Sequence, residues 1–283
     1  MSKIAVIGGG SFGTVVANII ALNGHDVQFW MRSSELVSEV NEIQENKQYL
    51  PGYSLSKKVV ATANMSDAVK KASLIFVAVP SSSFREVVKQ IVVFAPDDAM
   101  LISTTKGIEP GNFKLMSQVL HEESPSSGIG VLSGPNLAKE IASKHPTGTV
   151  IASNNEQIRE TVKNVLRSDN FRVYTNDDMF GIELGGSLKN IYAIIAGLAS
   201  SIGTGHNTNS MLVTRALAEM ARFGRELGAD PMTFLGLAGV GDLVVTCSTP
   251  LSRNYRIGQA LGEGLSIEQA LNEVDQVAEG VNT

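Results

Sequence analysis

Short apolar runs alternate with amphipathic stretches through the first 176 residues. Runs at 4–7, 27–30, 59–61, 74–79, 100–103, 130–132 and 149–152 read as strands, with a last short one at 171–174. They are apolar throughout rather than at every second position, the pattern of parallel strands buried on both faces. Between them, 14–22, 35–44, 84–94, 113–121 and 154–168 carry helical spacing. Strands alternating with helices predict an α/β fold, a Rossmann-type doubly wound sheet. Past about Asn176 the pattern changes. Long helices are predicted over 179–201 and 207–227, shorter ones over 253–261 and 266–271, with no strand series. The reading is therefore an N-terminal domain over 1–176 and a second, all-α domain over 177–283.

The first turn carries chemistry. Gly8-Gly9-Gly10-Ser11-Phe12-Gly13 lies between the first strand and the first helix. That context turns G-x-G-x-x-G into a dinucleotide-binding expectation. Gly8 permits the tight turn, Gly10 lets a pyrophosphate approach the backbone, and Gly13 lets helix pack on strand. The helix N-terminus offers N–H groups and partial positive charge to phosphates. An NAD-selective site usually carries an Asp or Glu about twenty residues further on, for the ribose 2′-hydroxyl. Here Arg32, Ser33 and Ser34 stand at that place, and Glu35 is assigned to the following helix. An arginine fork with hydroxyl donors suits a 2′-phosphate. NADP is expected over NAD.

Composition narrows the classes. The chain has 283 residues, 43% hydrophobic and 18% charged, enough for two cores. A net charge of −5 gives no general affinity for nucleic acid or anionic membrane, so any anion site is local. The lone Cys247 excludes an internal disulfide framework and fits a reducing, cytoplasmic compartment. Its apolar surroundings, Leu243 to Thr246, suggest a small core residue. The first strand begins at once, without a charged start and apolar h-region, so no secretory leader is expected. His25, His121, His145 and His206 lack metal-ligand spacing, and no metal is expected.

In the second domain Lys189 stands out. Gly185, Gly186 and Ala193 lie three or four positions from it on a helix, and Ala196 and Gly197 extend the stripe. Each helical glycine costs about 1 kcal/mol against alanine, so close backbone packing or a ligand must compensate. A lysine desolvated in a cleft has a lowered pKa and can exchange a proton with a carbonyl or alcohol oxygen. Lys106 in Ser103-Thr104-Thr105-Lys106-Gly107 and Asn136 in Ser133-Gly134-Pro135-Asn136 follow strand ends, where such folds bind ligands. Pro80-Ser81-Ser82-Ser83 does likewise. Each alone is an ordinary polar loop, and Asn136 also reads as a helix cap. Ser252-Arg253-Asn254 at a helix start suits a phosphate monoester, or is a plain cap beside an exposed arginine. Asp242, between Gly241 and Leu243, orients Lys189, holds a substrate hydroxyl or caps a turn.

Taken in order, the glycine motif, Thr105-Lys106-Gly107, Ser133-Gly134-Pro135, Gly186-Ser187-Leu188-Lys189-Asn190, Gly239-Val240-Gly241-Asp242-Leu243, Ser252-Arg253-Asn254 and Val277-Ala278-Glu279-Gly280 resemble the bacterial NAD(P)-dependent glycerol-3-phosphate dehydrogenases. The resemblance spans nearly the whole chain. It implies NAD(P)H-dependent reduction of dihydroxyacetone phosphate to sn-glycerol 3-phosphate in the cytoplasm, feeding phospholipid synthesis. It implies Lys189 as acid/base. It places Lys106, Gly134, Asn136, Asp242, Ser252, Arg253 and Asn254 around the substrate. With Gly8, Gly10 and Gly13, it places Ser11, Phe12, Arg32, Tyr49, Lys106, Ala138, Arg253, Val277 and Glu279 around the cofactor. A homodimer is a further expectation.

The sequence departs from the family pattern at three places. Asn136 replaces the usual Ser or Thr after Gly-Pro, and Phe12 a common tryptophan. Family members typically run a few tens of residues past the position of Gly280, whereas this sequence stops at Thr283, so uncovered apolar surface is expected there. Two rival readings are a hydroxy-acid dehydrogenase without a phosphate site and an NADP sensor without turnover.

Overall fold

The computed structural model describes residues 3–274 and 278–283, so Val277 lies outside the described residues. The N-terminal part forms β1 (Lys3–Ile7), α1 (Ser11–Leu22), β2 (Val27–Trp30), α2 (Ser34–Ile43), β3 (Val59–Thr62), α3 (Met65–Val69), β4 (Ala72–Val77), α4 (Ser81–Val92), β5 (Met100–Ser103), α5 (Met116–Glu123), β6 (Gly128–Ser133), α6 (Ala138–Ala142), β7 (Thr147–Ala152), α7 (Glu156–Leu166) and β8 (Phe171–Asn176). All eight expected strands are present. They form one sheet in the order β3-β2-β1-β4-β5-β6-β7-β8. Pairing is parallel from β3 across to β6 and again between β7 and β8.

The continuous apolar strands follow from two covered faces. Successive side chains of a strand point to opposite faces. Ile4 and Val6 accordingly join one core with α1 and α7, while Ala5 and Ile7 join another with α3, α4 and α5. The short helix α3 has no counterpart in the sequence reading, while α6 stands close to the helix expected to start at Asn136.

The rest is helical: α8 (Met179–Ser201), α9 (His206–Glu226), α10 (Asp242–Cys247), α11 (Arg253–Gly262) and α12 (Ile267–Glu273). A 3-10 turn at Pro231–Leu235 and a π turn at Leu237–Gly241 precede α10, and another 3-10 turn spans Glu279–Val281. Asp178 caps α8, accepting from the Gly181 N–H at 2.8 Å. The chain divides into two compact units. One comprises 1–105, 116–132 and 136–177; the other comprises 106–115, 133–135 and 178–283. Two loops of the N-terminal part therefore group with the helices, and these carry Lys106 and Gly134. No helix among the described residues is long and apolar enough to cross a membrane.

The glycine stripe of α8 is occupied mainly by backbone. A Cβ at Gly197 would lie 2.0 Å from the Tyr255 carbonyl oxygen, and one at Gly258 on α11 would lie 1.9 Å from that of Ile194. Gly185 faces the Ala238 carbonyl at 3.1 Å. Close packing thus offsets the intrinsic cost of these glycines. Gly186 differs, because its face meets the side chains of Ser133 and Lys106.

Candidate active site

In the helical unit, α8 delivers Lys189 and the first turn of α10 delivers Asp242. Both are buried, at 6% and 1% exposure. The Lys189 ammonium donates to Asp242 Oδ1 and, at 2.8 Å, to Thr246 Oγ1. Thr246 lies one turn beyond Asp242 and returns its own hydroxyl proton to the Asp242 carbonyl at 2.5 Å. Asp242 Oδ2 accepts from Lys106 Nζ at 2.7 Å, which also donates to the Gly134 carbonyl at 2.6 Å. One carboxylate therefore stands between two ammonium groups.

Desolvation pulls the Lys189 pKa down to about 7; Asp242 opposes the fall and the Lys106 charge assists it. An amine poised there can both give and take a proton near neutrality. The same burial pushes the Cys247 thiol up to about 12, leaving it a neutral core residue as its surroundings suggest.

A second layer fixes this cluster. Asn190 Nδ2 donates to the Lys106 carbonyl at 3.3 Å, and Asn254 Nδ2 donates to Asn190 Oδ1 at 2.9 Å. Asn254 Oδ1 then accepts from the Gly280 N–H at 3.0 Å. Ser252 caps α11 through the Tyr255 N–H, as the motif suggests. Arg253 opens that helix. Its side chain reaches solvent, yet neighbouring protein desolvates the guanidinium and lowers its pKa; Glu279 opposes and Arg256 adds to the fall. It stays charged throughout the working range. Thr246 is the one member of the cluster that sequence reasoning missed. Its signal is the i, i+4 spacing from Asp242.

In the other unit the glycine loop has the geometry a dinucleotide needs. Gly8 has φ +125°, and a Cβ there would lie 2.4 Å from the Ala78 carbonyl oxygen. A Cβ on Gly13 would lie 2.0 Å from the Gly8 carbonyl oxygen, whereas Gly10, the N-cap of α1, faces open space. Two glycines close the turn and the third leaves a cradle at a helix N-terminus, so the residues fit a pyrophosphate. Ser11 donates to the Tyr49 carbonyl at 2.8 Å. Phe12 and Ala138 are partly buried against the core that includes α1.

Two details of the expectation need correction. Asn136 does not cap a helix: α6 begins at Ala138 after Leu137, and the Asn136 amide donates to Thr149 Oγ1 at 2.9 Å. Glu35 lies in α2 as expected, yet its carboxylate reaches back to the corner after β2, where the sequence reading counted only Arg32 and two serines. Arg32 is exposed there, but Ser33 spends its hydroxyl proton on Glu35 at 2.6 Å, which lowers the Glu35 pKa. The Ser33 oxygen is also engaged, capping α2.

A doubly wound dinucleotide fold, joined in one chain to helices that bury a lysine–carboxylate cluster, defines a nicotinamide-dependent dehydrogenase. Known proteins narrow the class. The pattern for the N-terminus of NAD-dependent glycerol-3-phosphate dehydrogenase matches residues 3–159, and that for its C-terminus matches 178–283. The glycerol-3-phosphate dehydrogenase [NAD(P)+] of Alcanivorax borkumensis is 55% identical over 279 residues, covering 99% of this chain and 81% of that protein. That of Ectopseudomonas mendocina is 54% identical, covering 100% and 83%. The crystal structure of glycerol-3-phosphate dehydrogenase from Coxiella burnetii superposes with a TM-score of 0.95 at 38% identity, covering 99% of this chain and 86% of that one. This chain belongs to the NAD-dependent glycerol-3-phosphate dehydrogenase family.

Proposed function

We propose that the protein reduces dihydroxyacetone phosphate to sn-glycerol 3-phosphate with NAD(P)H. The reduced nicotinamide supplies the hydride that reaches the carbonyl carbon. Lys189 supplies the proton: its ammonium gives one to the carbonyl oxygen, leaving an alcohol and a neutral amine. Asp242 balances the charge of the ammonium before the transfer and holds the neutral amine in place after it. Lys106, Arg253 and the Ser252-capped start of α11 favour the phosphate monoester by charge and by N–H donors. Gly134, Asn136 and Asn254 shape the remaining substrate contacts. The cofactor is assigned to Gly8, Gly10, Ser11, Phe12, Gly13, Arg32, Tyr49, Ala138 and Glu279, with Lys106 and Arg253 shared.

The observation that carries this reading is the buried Lys189–Asp242 pair with Lys106 on the other carboxylate oxygen. The surplus of positive charge suits an anionic substrate. The exposed Arg32 favours NADPH, with NADH also accepted. A cytoplasmic place in phospholipid-backbone supply and a homodimer complete the proposal. Loss of absorbance at the reduced-nicotinamide band on adding dihydroxyacetone phosphate tests it, with NADPH and NADH run in parallel. Oxidation dependent on that substrate supports the assignment. Binding of NADPH without oxidation favours the sensor reading.

A further inference from the structure

After α2 the chain crosses back over the glycine loop and α1 of its own unit as residues 44–56. Three side chains tie it down. Asn18 donates to the Ser54 carbonyl at 3.1 Å and accepts from the Ser56 N–H at 2.8 Å. Ser11 donates to the Tyr49 carbonyl at 2.8 Å. Asn46, wholly buried, donates from Nδ2 to the Gly9 carbonyl at 2.9 Å and to Thr14 Oγ1 at 2.8 Å.

The amide orientation of Asn46 is forced. The Gly9 carbonyl can only accept. Thr14 gives its own proton to the Gly10 carbonyl at 2.9 Å and so also accepts from Asn46. Asn46 Oδ1 is left buried without a hydrogen-bond partner. A buried unpaired acceptor is costly, so an asparagine here is not the cheapest way to fill the core.

What those contacts do follows from peptide geometry. In a trans peptide the C=O and the next N–H point to opposite edges. Asn46 holds the Gly9 C=O inward and so turns the Gly10 N–H outward. Thr14, through its N–H and hydroxyl, holds the Gly10 C=O and so turns the Ser11 N–H outward. These groups open α1, beside the space that Gly10 leaves empty.

We infer that Asn46 is a positioning residue for the cofactor pyrophosphate, aiming the first N–H groups of the glycine loop through the Gly9 carbonyl. The inference rests on the dinucleotide reading of that loop. The pyrophosphate is common to both nicotinamide cofactors, so the role is indifferent to the 2′-phosphate.

Equilibrium titration of the full chain with NADPH and with NADH tests it. Asn46→Ala is expected to raise both Kd values by the same factor, about tenfold, with the KM for dihydroxyacetone phosphate unchanged at saturating cofactor. Asn46→Asp is expected to raise both further, because a carboxylate cannot donate to the two acceptors and repels the phosphates. Asn18→Ala releases the same segment away from the loop. It is expected to lower the melting temperature while leaving both Kd values within twofold, about the scatter of such measurements. Unchanged Kd values in Asn46→Ala, or an equal loss in Asn18→Ala, overturn the positioning role. If Asn46→Ala does not fold, Thr14→Val removes the neighbouring anchor and reads the same two constants. Failure of the unaltered protein to bind either nucleotide refutes the dinucleotide reading itself.

Discussion

Lys189 and Asp242 are 53 positions apart in the chain and form one buried ion pair. Neither is stable there alone. A lone buried ammonium or carboxylate is strongly disfavoured, and removing one partner strands the other. The pair persists because Thr246 and Lys106 complete its hydrogen bonds. The same burial that makes it costly brings the lysine into the range where it can trade a proton.

The sign of the pH dependence follows. With Lys189 as the proposed proton donor, reduction draws on its ammonium, so the rate is expected to fall as pH rises through about 7. Oxidation of sn-glycerol 3-phosphate needs the neutral amine, so its rate is expected to rise through the same value. Profiles of kcat in both directions check this, and parallel limbs in the two directions contradict it. Stability is linked with the sign of the oxidation limb, opposite to that of reduction. The unfolded chain holds this proton up to about 10.5, so Lys189 adds stability as pH rises from about 7 and loses it as pH falls.

Thr246 accepts from the charged lysine and so favours the ammonium. Thr246→Val keeps the shape and removes the acceptor. The limb of the reduction profile is expected to move to lower pH, with kcat at neutral pH down about tenfold and the KM for dihydroxyacetone phosphate little changed. An unmoved limb shows that the hydroxyl does not tune the lysine.

The strands were legible because both faces of the sheet are buried, which leaves continuous apolar runs, and α11 because Ser252 is a standard cap. The helices α3 and α6, of five residues each, are too short to display a period. Residues 243–247 read as apolar core, which hid Thr246, buried on the same face of α10 as Leu243 and Cys247. The cap reading of Asn136 failed because α6 starts after Leu137 and the amide pairs with a strand threonine instead. Lys189 was legible through the glycines beside it, yet its partners lie far away in sequence and only the fold brings them together.

Arg32 is proposed to separate the two cofactors. Arg32→Ala is expected to weaken NADPH about tenfold or more, the worth of a hydrogen bond to a charged group, and NADH hardly at all. Direct titration measures both. Equal losses show that Arg32 does not read the 2′-phosphate, and Glu35 beside Ser33 then becomes the better candidate for a ribose contact.

The α8–α11 crossing leaves no room for a methyl group. Gly197→Ala places one 2.0 Å from the Tyr255 carbonyl oxygen. The expected cost is about 1–3 kcal/mol despite the better helix propensity of alanine. A lower urea midpoint at unchanged slope checks it. A gain in stability means the two helices pack less tightly than described.

The central claim is that Lys189 moves the proton. Turnover and NADPH affinity of Lys189→Met, measured side by side, test it most directly. The expected result is a fall of about 100- to 10,000-fold in kcat for dihydroxyacetone phosphate reduction, with the Kd for NADPH unchanged. Turnover within a few-fold of the unaltered protein contradicts the assignment.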